Sequence, residues 1–183
     1  MNTFTEPKIV IVVFGDSNVG KTTLLQTFIS QLKPKCEVGT MAEEPPKRKK
    51  TTSDFRFSGK YQGVKIGIST RGDTAKEIFE NFQFFQERQC RIVVTAVHKT
   101  EDTSTAALDL IVAYYSMIGL RKIEKVKMDK KTFDPATSPL NAPEFKAPLA
   151  ELFERLDDAL SLLKQLDDSN HSSVKKQVIV VNQ

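Results

Sequence analysis

Ile9-Val10-Ile11-Val12-Val13-Phe14-Gly15-Asp16-Ser17-Asn18-Val19-Gly20-Lys21-Thr22-Thr23 decides how the rest of the chain is read. The first six residues are continuously apolar and mostly β-branched, the pattern of a parallel strand buried on both faces. Gly15 to Thr22 fit G-x-x-x-x-G-K-[ST], a loop whose backbone N–H groups wrap phosphate. Leu24, Leu25, Phe28, Ile29 and Leu32 then recur at helical spacing, and Pro34 bounds that helix. Strand end, glycine loop and helix start coincide, which brings N–H groups and the positive end of a helix dipole to one point. On this reading Gly15, Asp16, Ser17, Asn18, Val19, Gly20, Lys21, Thr22 and Thr23 bind the nucleotide. Lys21 reaches the β- and γ-phosphates, and the Thr22 hydroxyl binds Mg²⁺.

The stretch Gly15 to Leu25, GDSNVGKTTLL, resembles the opening of Ras-like small GTPases within the P-loop NTPase superfamily. The resemblance covers those eleven residues and fades afterwards. It implies a three-layer α/β/α fold and binding of a nucleoside triphosphate with Mg²⁺. It does not imply GTP, hydrolysis or phosphotransfer, since unrelated functions share the fold.

A chain of 183 residues fits a single domain, here 1–183, with a proper core. Hydrophobic content of 39% and charged content of 27% are ordinary for a soluble globular protein. No apolar stretch is long enough to span a membrane and no secretion signal opens the chain, so a cytoplasmic protein without membrane contact is expected. Cys36 and Cys90 have no metal spacing, and His98 and His171 are too few for a zinc site. A net charge of +4 and a pI near 9.0 permit contact with nucleic acid without arguing for it.

After the first helix, Lys33 to Ser53 carries Pro34, Pro45, Pro46 and the basic run Lys47-Arg48-Lys49-Lys50, with almost no apolar periodicity. It reads as a long, mobile surface loop at 33–53, its basic run more often solvated than binding. Phe55, Phe57 and Tyr61, then Val64, Ile66 and Ile68, alternate about Gln62-Gly63 as in a β-hairpin. Ile78, Phe79, Phe82 and Phe85 mark the apolar face of a helix from Thr74 to Glu87. Ile92 to Val97 is a second continuous strand, followed by a helix from about Thr105 to Met117. Ile123 to Met128 reads as an outer strand, Asp134 to Pro148 as a loop, Leu149 to Leu166 as a helix and Gln177 to Val181 as a last strand. Alternating strands and helices predict an α/β fold with a mainly parallel sheet covered on both faces.

Ligands of such sheets bind at the carboxyl ends of the strands. Three turns meet there: the glycine loop, Ser69 to Thr74, and His98 to Thr103. A carboxylate is needed there to hold Mg²⁺, and Asp73 is the best candidate. Asp73 also suits a helix cap, and Thr74 with Glu77 has capping-box spacing. Arg71 reads either as a phosphate ligand or as an exposed loop arginine. Lys21, Asp73 and Arg71 are thus the candidate catalytic residues, Thr22 and Asp73 the candidate metal ligands, with Glu101 and Asp102 weaker alternatives.

The chain departs from the small-GTPase pattern in two places. Where those proteins carry D-x-x-G, Ser69-Thr70-Arg71-Gly72 keeps only the glycine. The nearest string to their guanine-reading N-K-x-D is His98-Lys99-Thr100-Glu101, one strand too early. ATP is therefore favoured over GTP. The order of turns is loosely similar to bacterial or phage P-loop proteins. Two activities fit: a slow NTPase serving as a regulatory or assembly subunit, with a protein partner or a second copy, or a small-molecule or nucleotide kinase. A kinase usually needs several arginines on a lid, and no arginine pair here has obvious lid spacing.

Overall fold

The computed structural model describes residues 7–16, 19–44, 55–98, 103–128 and 143–179. Within them the elements are β1 (Ile9–Gly15), α1 (Lys21–Leu32), a 3-10 turn (Lys33–Lys35), β2 (Ala42–Glu44), β3 (Arg56–Tyr61) and β4 (Val64–Ser69). α2 (Ala75–Glu87), β5 (Ile92–His98), α3 (Thr103–Ile118), β6 (Lys122–Lys127) and α4 (Pro143–Ile179) follow. The six strands form one sheet in the order β2-β3-β4-β5-β1-β6. β4, β5, β1 and β6 run parallel, and β2 and β3 are antiparallel to their neighbours. The chain is therefore an α/β protein with a mostly parallel sheet, as its alternating pattern predicts.

The alternation of β1 explains why helices cover both faces. Ile9, Ile11 and Val13 join a core with Leu24, Leu25, Phe28, Ile29 and Leu32 of α1 and Leu152, Leu156 and Leu163 of α4. Val10 and Val12 point the other way, into a core with Ile78, Phe82 and Phe85 of α2 and Leu108, Ile111 and Tyr115 of α3. Successive strand side chains face opposite sides, so a continuous apolar run feeds both cores.

Between β3 and β4, Gln62 (φ 49°) and Gly63 (φ 80°) both take positive φ. Two such residues make the two-residue hairpin turn whose twist matches the strands. Tyr61 pairs with Val64 across it.

Four expectations change. The segment read as a loop from Lys33 begins with a 3-10 turn, and Ala42–Glu44 pairs with β3 as an edge strand. Three residues are too few to show a periodicity, and only pairing to β3 makes them a strand. Residues 45–53 of that loop lie outside the described residues. The loop read over Asp134 to Pro148 gives way at Pro143, where α4 begins. Proline is accommodated at the first helical position, and Pro148 lies inside the helix near its start. No strand forms at Gln177 to Ile179, which continue α4, and residues 180 and 181 of that expected strand lie outside the described residues. From Leu149 onward no glycine or proline interrupts the helix, and a short apolar run is carried along by the helix before it. Lastly, Phe79 is 48% exposed while Phe84 is buried, so the apolar face of α2 is turned toward Ile78, Phe82 and Phe85 with Phe84 beside them.

Candidate functional site

The site is assembled from the end of β1 outward. A Cβ on Gly15 would lie 2.6 Å from the Met128 carbonyl oxygen and 2.9 Å from Val19 Cγ2, so the backbone passes where no side chain fits. Gly20 has φ 88°, in the left-handed region open to glycine without steric cost. The chain then enters α1 at Lys21. Lys21 is 7% exposed. Its Nζ donates to the Gly15 carbonyl at 2.8 Å and the Asp16 carbonyl at 2.7 Å. Burial pushes the ammonium below its ordinary range, opposed by the carboxylates of Asp73 and Asp16. That opposition puts Asp73 within electrostatic reach of Lys21. Val19 is buried, and Thr22 and Thr23 sit half-buried in the first turn of α1. Ser17 and Asn18 lie outside the described residues.

Asp73 follows β4, yet β5 stands between β4 and β1. Gly72 solves this. A Cβ there would lie 1.7 Å from the Ala96 carbonyl oxygen of β5, so only a bare Cα allows the chain to run this close to the end of that strand. Asp73 then meets His98, with Oδ1 and Nε2 2.7 Å apart. His98 is in register with Gly15 in the parallel β1–β5 pair. The first glycine of the loop, the histidine ending β5 and the aspartate after β4 are thus neighbours.

The two readings of Asp73 are separated by the next residue. Thr74 is the N-cap of α2: its Oγ1 accepts from the Glu77 N–H at 3.3 Å. Glu77 Oε2 accepts from the Thr74 N–H at 3.2 Å and the Asp73 N–H at 3.0 Å. The capping box expected at Thr74 and Glu77 is present. The Asp73 carboxylate takes no part in it and remains 69% exposed.

Arg71 is 7% exposed, which removes the reading of an exposed loop arginine. Its backbone N–H donates to Ser69 Oγ at 3.2 Å, and its carbonyl accepts from Asn81 Nδ2 at 2.9 Å. Asn81 Oδ1 also accepts from Ser69 Oγ at 2.9 Å and Arg56 Nε at 2.8 Å. Arg56, 2% exposed, bonds Glu80 at 2.9 Å and Glu44 at 3.1 Å. A buried network therefore runs from β2 through β3 and α2 to the turn that carries Asp73.

Sequence reasoning put His98 in a turn at this edge without giving it a role, and missed Asn81 and Arg56. Asn81 left a signal, since an amide interrupting an aromatic helical stripe must find partners in the core. His98 closes an apolar run, but its value rests on register with Gly15, which no local pattern encodes. Glu101 and Asp102 lie outside the described residues. Arg91 donates to Asp167 at 2.7 and 2.9 Å from the amino end of β5, far from any phosphate lid. Cys36 and Cys90 are buried and unpaired, and burial pushes the Cys90 thiol up to about 12. Among the described residues no group of three or more His, Cys, Asp or Glu is placed to hold a metal ion, and no helix is long and apolar enough to cross a membrane. No protein-family model, curated protein or solved structure matches the chain.

Proposed function

We propose that the chain is a P-loop protein of three-layer α/β/α build that binds a nucleoside triphosphate with Mg²⁺ and hydrolyses it slowly, as a regulatory or assembly subunit. One observation carries the reading: Lys21 opens α1 directly after left-handed Gly20 and holds its ammonium against the carbonyls of Gly15 and Asp16. A triphosphate at that helix N-terminus would draw the ammonium from the carbonyls to β- and γ-oxygens, as charge-assisted hydrogen bonds. Thr22 offers its hydroxyl to Mg²⁺, and Asp73 a carboxylate, direct or through water. Arg71 adds a positive charge at the same end of the sheet. ATP is favoured over GTP because no N-K-x-D string is present, and His98, which opens the nearest one, is bonded to Asp73. The cytoplasm, which supplies ATP and Mg²⁺, is the compartment this reading requires. The partner is a protein or a second copy. The mild net charge of +4 adds little for nucleic acid.

Titration of ATP and GTP with Mg²⁺ against wild type, Lys21→Ala and Thr22→Ala tests the proposal. Lys21→Ala is expected to weaken both nucleotides at least about tenfold, the loss of one or two hydrogen bonds from a charged group. Thr22→Ala should weaken only the Mg²⁺-dependent part. Wild-type affinity in Lys21→Ala would refute phosphate binding at this loop.

A further inference from the structure

Capping of α2 does not explain the pairing of His98 with Asp73. The cap of α2 is made by Thr74 and Glu77. A hydrogen bond to a carboxylate 69% exposed contributes little to stability. His98 itself is held firmly: its side chain is 12% exposed, its strand position is fixed opposite Gly15, and its carbonyl accepts from Thr105 Oγ1 at 2.8 Å. A nearly buried imidazole on an anchored strand end thus meets a carboxylate that is otherwise largely in solvent. The same carboxylate is close enough to Lys21 to act on its charge.

We propose that His98 is a positioning residue that holds the Asp73 carboxylate beside the glycine loop, so that it meets Mg²⁺ or the attacking water in one orientation. With the proton on Nε2, the imidazole donates to Asp73 Oδ1. The second carboxylate oxygen is then left for metal or water, and its direction is set by the first. Gly72 fixes the backbone of Asp73 against β5, and His98 fixes its side chain. Catalytic groups held by a second residue lose little freedom when substrate arrives.

This inference rests on the nucleotide reading above, and the test separates the two. His98→Ala, His98→Gln, Asp73→Asn and the His98→Ala/Asp73→Asn double variant are compared with wild type for Mg²⁺-dependent ATP affinity, kcat, KM and melting temperature. His98→Ala is expected to lower kcat about tenfold or more, with ATP affinity measured without Mg²⁺ and melting temperature close to wild type. Where turnover is too slow to read, the gain in ATP affinity on adding Mg²⁺ is expected to shrink instead. His98→Gln keeps an N–H donor and should recover most of the loss. The double variant should lose no more than Asp73→Asn alone, because one residue acts through the other. Unchanged kcat and unchanged Mg²⁺ dependence in His98→Ala, or additive losses in the double variant, would overturn the positioning role while leaving nucleotide binding intact. A wild type that binds no nucleotide overturns both.

Discussion

Asp73 and Thr74 are adjacent, yet their side chains do separable things. The Thr74 hydroxyl satisfies the Glu77 N–H at the start of α2, while the Asp73 carboxylate bonds His98 at the end of β5. Removing the cap should therefore cost stability, and neutralising Asp73 should not. Thr74→Ala is expected to destabilise the fold by about 1 kcal/mol, the usual value of an N-cap, with nucleotide turnover retained. Asp73→Asn is expected to leave the urea midpoint nearly unchanged and to reduce Mg²⁺-dependent turnover sharply. Urea melts run beside ATP hydrolysis on both variants decide this. If Asp73→Asn leaves turnover unchanged as well, the carboxylate has no part in the site, because Asn serves a helix start nearly as well as Asp. The Thr74–Glu77 box was legible because it is a four-residue pattern. The pairing of Asp73 with His98 was not, because the two lie 25 positions apart.

Whole elements meet at Arg56. Its guanidinium joins Glu44 on β2 to Glu80 on α2, and its Nε reaches Asn81, which holds Ser69 at the end of β4 and the Arg71 carbonyl just beyond it. Three residues of edge strand are thereby tied to the turn that delivers Asp73. Arg56→Ala is expected to cost about 3 kcal/mol, the lower end for a broken buried pair, because Glu44 and Glu80 stay partly in water and can be rehydrated. It should also loosen β2, seen as faster amide exchange at Ala42–Glu44 than in wild type. Unchanged exchange there would mean that the β2–β3 backbone ladder alone holds the edge. The strands of the sheet's middle were readable from sequence since β1 and β5 are continuous apolar runs, and the hairpin since Gln62-Gly63 is flanked by alternation. β2 and the ends of α4 were not. A three-residue edge strand has no period, and Pro143 and Pro148 look like loop residues until the helix is seen to start at the first of them. Arg56 sits in the hairpin alternation where a solvent-facing residue belongs, and α2 with β2 covers it.

At the scale of the whole molecule, two apolar cores clamp the sheet, and its carboxyl edge gathers the polar groups. Gly15, His98, Asp73 and Lys21 come from three strand ends and one helix start. The glycine loop and the two turns after the later strands announced this edge, but the order β4-β5-β1, which places His98 beside Gly15, was hidden because strand order is set by packing and not by local sequence. Placing Lys21 there has a consequence for folding of the entire chain. Burial lowers its pKa below the ordinary 10.5, against the opposing pull of Asp73 and Asp16. In the unfolded chain the ammonium recovers its ordinary value. Between the lowered native pKa and 10.5 the unfolded state thus binds more protons, and stability from this group rises with pH. Below that window both states are protonated, and the cost of burying the cation is present in full. Lys21→Met has no such group, so without nucleotide the stability of wild type relative to Lys21→Met should climb as pH is raised from neutrality toward 10.5. Paired thermal melts across that range test it, since all other titrating groups are common to both proteins. A triphosphate with Mg²⁺ supplies negative charge that favours the ammonium, so adding ATP should flatten the climb. A flat difference would place the Lys21 ammonium in solvent, one that falls with pH would mean that the fold favours the cation, and a climb that ATP leaves untouched would put it away from any phosphate.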